Sequence, residues 1–454
     1  MASAAGSRSS HSGVRATARE SAAGSQLRTP QPDPGRVNSG SSAVSSVTPL
    51  LASRSGRGGS FGVQRLVLIE LAAALVVCGW VIDPLALAAA GVIAALLLCL
   101  AFLRRRGRTL PEWIGTVLAL RARRRRARGE PLLPGTEPGL APAVECDPSL
   151  QTSSCTRGEG RDQRPIGLIG DGAFLTAVLQ VESDATALRA ERNRRPLPVA
   201  LVRDALQVDG IRLESAQIVL HTQPAPALHL PQESVAVRNY APLQAGTGSP
   251  AVRITWIALK LDAELCAEAV AARGGGVTGA RKCLARVADH LSSRLSGKGF
   301  RATVLTEEEL VTAVATSACA NPMVTAQAGQ GEAPARRTEE SGRSWRCDNR
   351  RHTTYWIRRW PRLGGGESSL PQLVSILTSV PALATTFSLT LAGGERQGVT
   401  LTGHLRITGR GESELATARR DLERAARQSR TGLVRLDGEQ LPGVLATLPL
   451  GGAR

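Results

Sequence analysis

Lysine is almost missing from this 454-residue chain, with three copies at Lys260, Lys282 and Lys298, so arginine supplies nearly all of its 56 basic residues. In a chain rich in alanine and glycine, that skew reads as the codon bias of a GC-rich genome and takes functional weight away from the formal charge of +18. Aromatic residues are scarce too, at 3%. No GxxxxGK(S/T) run occurs, and Gly297-Lys298-Gly299 lacks the upstream glycine and the hydroxyl with which a phosphate loop holds Mg²⁺. There is no HExxH pair and no DxD pair. These absences exclude P-loop nucleotide hydrolysis and zincin-type proteolysis, and they argue against metal-dependent transfer from a nucleotide sugar.

The eight cysteines, at positions 78, 99, 146, 155, 266, 283, 319 and 347, form no CxxC pair and have no histidine at metal-ligand spacing. A disulfide framework in so large a chain is improbable, and a reducing compartment fits better. The six histidines, His11, His221, His229, His290, His352 and His404, fall in separate segments. Nucleophilic catalysis needs a base held by an orienting carboxylate, and no such group is visible. No catalytic, cofactor-binding or metal-ligating residue is therefore assigned, and a non-enzymatic role is expected.

What is present begins with charge placed unevenly. Up to Glu130 there are 18 arginines against 6 acids, whereas the rest of the chain has 38 basic against 32 acidic residues. A nucleic-acid partner is accordingly not expected. Residues 1–65 are Ser, Gly, Ala, Pro and Arg with few large apolar side chains, the composition of a disordered cytoplasmic tail. Then come LVLIELAAALVVCGWVI at 66–82 and LALAAAGVIAALLLCLAFL at 85–103, separated by Asp83-Pro84. As helices these are about 25 and 28 Å long, against a hydrocarbon core of about 30 Å, and the proline breaks the run between them. A transmembrane hairpin over 66–103 is the expectation. Arg65 on one side and Arg104, Arg105, Arg106 and Arg108 on the other are candidate contacts to anionic headgroups, which would make the chain a multi-pass inner (plasma) membrane protein with both termini cytoplasmic. Glu70, an acid inside the first apolar run, is a candidate contact to a partner helix.

Residues 104–164 read as a basic juxtamembrane segment and linker, and 165–454 as a cytosolic α/β domain with a mixed sheet and covering helices. Strand patterns fall at 252–261, 300–305, 352–359, 387–391 and 399–407, and helix patterns at 278–296, 307–316 and 412–427. The order strand, long helix, short strand, capped helix occurs twice, from VRITWIALKL through GFRATVLTEEELVTAV and from VTLTGHLRI through TGLVRLDGEQLPGVL. The second helix of each copy is expected to open on a capping box, Thr306 with Glu309 and Asp437 with Gln440. This echo suggests a duplicated β/α unit. Residues 327–343 look like a polar surface insertion. Trp345, Trp356 and Trp360, set among arginines, are candidate partner contacts, with sheet packing as the competing reading.

Three stretches then carry a resemblance: GDGAFLTAVLQVE at 170–182, HTTYWIRRWP at 352–361 and DGEQLPGVLATLP at 437–449. With a basic tail, two apolar helices and an Arg-rich segment before them, the chain over about 60–450 resembles the EccE component of actinobacterial type VII (ESX) secretion systems. The resemblance implies a structural subunit of an inner-membrane protein-export complex that also contains EccB, EccC and EccD, with ATP hydrolysis supplied by EccC. It also implies an α/β domain with some likeness to glycosyltransferases, so a membrane-tethered enzyme acting on an envelope precursor is the alternative. No cofactor and no small-molecule substrate are expected.

Overall fold

The computed structural model describes residues 61–452 apart from 103, 106–107, 130–134, 158–162, 184–195, 224–232, 236–237, 240–251, 331–335, 363–368 and 394–397. The tail expected at 1–65 lies almost wholly outside the described residues, as do parts of the linker.

Helices α1 (Phe61–Ile82) and α2 (Pro84–Phe102) pack against each other and reverse at Asp83. The transmembrane expectation does not hold for them. Among the described residues, no helix is long and apolar enough to cross a membrane. Asp83-Pro84 breaks one apolar run into two separate helices, of 22 and 19 residues. The multi-pass topology built on that hairpin falls with it.

Helix α3 (Leu110–Gly129) follows, then the short α4 (Ala141–Val144) and strand β1 (Gln151–Arg157), both inside the region read as linker. The remaining elements are β2 (Arg164–Gly170), β3 (Phe174–Ser183), α5 (Val199–Asp204), β4 (Ser215–Gln223), β5 (Val252–Asp262), α6 (Gly276–Ser296), β6 (Phe300–Val304), α7 (Glu307–Ser317), α8 (Pro322–Gly329), β7 (Thr338–Glu340), β8 (Trp345–Cys347), β9 (Arg350–Arg359), α9 (Leu370–Thr378), β10 (Ala384–Gly393), β11 (Val399–Gly409), α10 (Glu412–Gln428), β12 (Gly432–Arg435) and α11 (Gln440–Leu445). Minor helical turns and two-residue ribbons complete the path.

Among the described residues, twelve strands make one sheet in the order β7-β8-β9-β11-β10-β4-β5-β3-β2-β1, with β6 on β3 and β12 on β9. Every pairing is antiparallel, so the sheet is not the mixed one expected. Tracing the chain through it gives β3-α5-β4-β5-α6-β6 and then β9-α9-β10-β11-α10-β12. In each run the spatial order is fourth, first, third, second strand. That is the split β-α-β, or ferredoxin-like, arrangement. The two units meet through their second strands, β4 and β10, over eight register pairs from Thr385↔Thr222 to Ala392↔Ser215.

Alternation along the strands gives the sheet two different faces. One is apolar, with Leu179, Ile257, Leu259, Ile218, Leu389, Leu405 and Ile407 under the helices α5, α6, α9 and α10. The long helices fit because their apolar residues recur at three and four positions: Cys283, Leu284, Val287 and Leu291 in α6, and Leu415, Ala418 and Leu422 in α10. The other face carries Thr176, Gln217, His221, Thr386, Ser388, His404, Arg406, Thr408, His352 and Thr354, all buried. It is covered by α4, α7, α11 and the C-terminal segment, around Trp256, Trp345, Leu310, Val314, Leu448 and Leu450.

Candidate functional site

The buried polar face is the chemically richest part of the molecule, and the chain itself satisfies most of it. Residues after α11 cross the sheet as a strap. Gln217 Nε2 donates to the Ala446 carbonyl at 2.9 Å, Thr176 Oγ1 to Leu450 O at 3.1 Å and Ser215 Oγ to Gly451 O at 2.6 Å, while Gly451 N donates to Gln217 Oε1 at 2.8 Å. Gly451 and Gly452 have φ of +94° and +102°, and a Cβ on either would collide with Lys260 or Thr390. Only glycine allows that close exit.

Three histidines that are far apart in sequence come to this face. His221 Nδ1 bonds Thr386 Oγ1 at 2.9 Å, with Gln223 Nε2 3.0 Å from its other nitrogen, and His352 Nδ1 bonds Thr408 Oγ1 at 2.9 Å. None is oriented by a carboxylate. Burial pushes His221 down to about 3 and His404 to about 4, and holds His352 well below the ordinary histidine range, with the Arg406 charge adding to the effect at His221 and His352. All three are neutral at physiological pH, with no proton to give as general acids. Among the described residues, no group of three His, Cys, Asp or Glu side chains could hold a metal ion. Burial likewise raises the thiols of Cys146, Cys319 and Cys347, so they are protonated and unreactive.

A second cluster ties the N-terminal region to the domain. On α3, Arg123 donates through Nε and Nη2 to Glu340 at 2.9 and 3.0 Å and through Nη2 to the Gly438 carbonyl at 2.7 Å; Arg124 Nε donates to Glu340 O at 2.8 Å. Glu340 also accepts from Leu441 N at 3.0 Å. Two arginines of the segment read as a basic juxtamembrane linker therefore grip protein. Nearby, Arg337 and Asp348 form a fully buried bidentate pair at 2.9 and 2.8 Å, and Glu145 accepts from Arg337 N and Thr338 N. Of the stretch 327–343 read as a surface insertion, residues 336–340 are thus packed into the domain, while 327–330, at the end of α8, lie mostly at the surface, and 331–335 lie outside the described residues.

The residues singled out from sequence scatter. Trp345 is 1% exposed, its ring 4.9 Å from that of His352, and so packs the core. Trp356 and Trp360 are half-buried, and the Trp360 ring lies over Gly403, where a Cβ would collide with it. Glu70 is exposed on α1. The side chains of Arg65, Arg104, Arg105, Arg106 and Arg108 lie outside the described residues. Sequence reasoning missed Arg406, Gln217, Arg123 and the Arg337–Asp348 pair. A signal existed for Arg406: VTLTGHLRITG alternates polar and apolar residues, but the polar positions read as solvent-facing.

Residues 249–357, from just before β5 to near the end of β9, match the family model described as putative type VII ESX secretion system translocon, EccE. This segment of the chain is similar to that family. That segment takes in the second half of the first unit and the opening strand of the second, including the first six residues of HTTYWIRRWP (352–361), one of the three stretches on which the sequence resemblance rests. No curated protein matches the chain.

Proposed function

We propose that this EccE-type chain is a component of a membrane-associated type VII secretion translocon and serves it as a structural subunit. The observation that carries the reading is the family match over 249–357. The site chemistry supports the structural part: neutral, buried histidines without carboxylate partners and a polar sheet face committed to the chain's own strap suit a rigid body better than a catalyst. In this reading the partners are EccB-, EccC- and EccD-type subunits, contacted through surfaces that include Glu70, Trp356 and Trp360, and the arginines Arg65, Arg104, Arg105, Arg106 and Arg108 lie near anionic headgroups. Affinity purification of the full-length chain from its native cells in mild detergent tests this. Co-purification with an EccC-type ATPase and its companion subunits is the expected result. Recovery of the chain alone under every extraction condition would refute it.

A further inference from the structure

The sheet runs out to two end strands, β7 and β1, and the chain treats them differently. An edge strand offers a row of unpaired N–H and C=O groups, which native proteins blunt with charge, proline, bulges or a covering segment. At β7, side chains do the covering. Thr338 N donates to Glu145 Oε2 at 2.7 Å, Arg336 Nε to Thr338 O at 3.1 Å and Arg124 Nε to Glu340 O at 2.8 Å. Nothing of the kind protects β1. Among the described residues, 151–157 make no hydrogen bond beyond the ladder to β2. That ladder runs from Gln151↔Gly170 to Arg157↔Arg164 without a register shift, so no bulge turns the edge aside. The strand, QTSSCTR, has no proline and no charge before its last residue, and Gln151, Ser154 and Thr156 are exposed.

The residues of β1 indicate what fits beside it. Set antiparallel to a second copy of itself about Ser154, the strand matches itself: Ser154 faces its own copy, Ser153 faces Cys155, Thr152 faces Thr156 and Gln151 faces Arg157. Small residues meet small ones, and the Thr–Thr pair, a favourable cross-strand contact, occurs twice. Charge selects this direction. Arg157 and its register partner Arg164 lie together at the hairpin end. A parallel pairing would bring the arginines of both copies side by side, whereas the antiparallel one holds the two Arg157 backbones about 20 Å apart. Alternation keeps the faces in step as well, so Cys155, which packs against the apolar face, continues that face into the second copy.

We propose that β1 is a self-association edge: it pairs antiparallel with β1 of a second copy of this chain about a two-fold axis at Ser154, joining the two sheets edge to edge. A two-fold closes the assembly at two copies, since each has spent its open strand. The contact is one strand long and well below a standard interface, so the association is weak and reversible. This is independent of the secretion reading.

The test is sedimentation equilibrium of the full-length purified chain in mild detergent, which covers exposed apolar side chains such as Trp80 and Leu85. A dimer whose fraction rises with concentration is the expected result. Thr152→Lys combined with Thr156→Lys sets like charges opposite each other twice and should weaken the dimer roughly tenfold. Thr152→Lys combined with Thr156→Glu sets opposite charges across the axis instead and should restore it. A monomer at every concentration, a dimer indifferent to the paired lysine substitutions, or one that the lysine and glutamate combination fails to restore would overturn the proposal. Should the substituted chains not fold, amide exchange in the unsubstituted chain decides. Protection of 151–157 that grows with concentration supports the pairing, and protection independent of concentration rejects it.

Discussion

The two ferredoxin-like units share strand order and helix placement, yet each handles a buried cation on its third strand differently. In the first, Lys260 of β5 bonds Glu214 at 2.9 Å and sits 4.4 Å from the centre of the Phe174 ring. In the second, Arg406 of β11 has a helix-terminal carbonyl, two hydroxyls and two unpartnered N–H groups. The helix that follows each fourth strand differs as well. Thr306 and Glu309 close a full capping box at α7, at 3.3 and 2.9 Å, whereas the box expected at Asp437 and Gln440 does not form. Asp437 instead pairs with Arg435, and Gln440 turns inward to accept from Thr354 N at 2.9 Å and donate to Leu436 O at 2.7 Å. Gly443 lets α11 press that closely, because a Cβ there would meet Thr354 and Leu436 within 3 Å. One topology therefore tolerates two internal chemistries: the first unit is closed by local pairs and caps, and the second by insertion of its last helix.

Acid should expose that difference most. His221, in the first unit, and His352 and His404, in the second, are all depressed in the folded state, so unfolding takes up protons as soon as the pH falls below the ordinary value of about 6.5. Their stabilisation is complete above that value and is lost on the way down toward the folded values of about 3 for His221 and about 4 for His404. At pH 5 His221 and His404 should each cost about 2 kcal/mol, and His352 should act in the same direction. Urea midpoints recorded from pH 7.5 to 5 should drop steeply, and amide exchange should rise first in β9 and β11, which carry two of the three. A flat profile would separate the histidines from stability altogether.

Core truncation comes next. Leu284→Ala in α6 and Leu422→Ala in α10, both fully buried, should each cost about 2–5 kcal/mol. Because β4 and β10 join the units through a continuous ladder, either change should shift one shared transition. Two separate transitions would show that the units unfold independently. Smaller still is Glu214→Gln, expected to cost about 1 kcal/mol since Glu214 is one-third exposed and partly screened. Last are the caps: Thr306→Ala should cost about 1 kcal/mol, and Asp437→Ala a few tenths, a contrast readable in chemical denaturation.

The apolar face of the sheet was legible in the sequence because its helices and strands repeat with clean periods, as Leu284, Val287 and Leu291 or Leu401, Leu405 and Ile407 do. The echo between the two halves lies at matching positions of the two units, although only the portion from the third strand to the helix after the fourth was visible. β1 and α9 were missed: QTSSCTR has no large apolar residue, and LPQLVSILT follows a Gly-rich run that reads as loop. The polar face was illegible for a physical reason. Polar residues in alternation signal solvent unless another segment covers them, and here the cover is a strap more than two hundred residues further along from Gln217. The apolar hairpin misled in the opposite direction, since composition alone suggested a bilayer span, and among the described residues no helix is long and apolar enough for one.

The claim that the chain is structural and not catalytic is tested most directly by secretion itself. The chromosomal copy would be replaced in turn by His221→Gln, His352→Gln and His404→Gln, and export of type VII substrates would be compared with the amount of folded chain in the same cells. Export that follows folded chain in all three strains is the expected result. Loss of export in any one of them at an unchanged level of folded chain would contradict it.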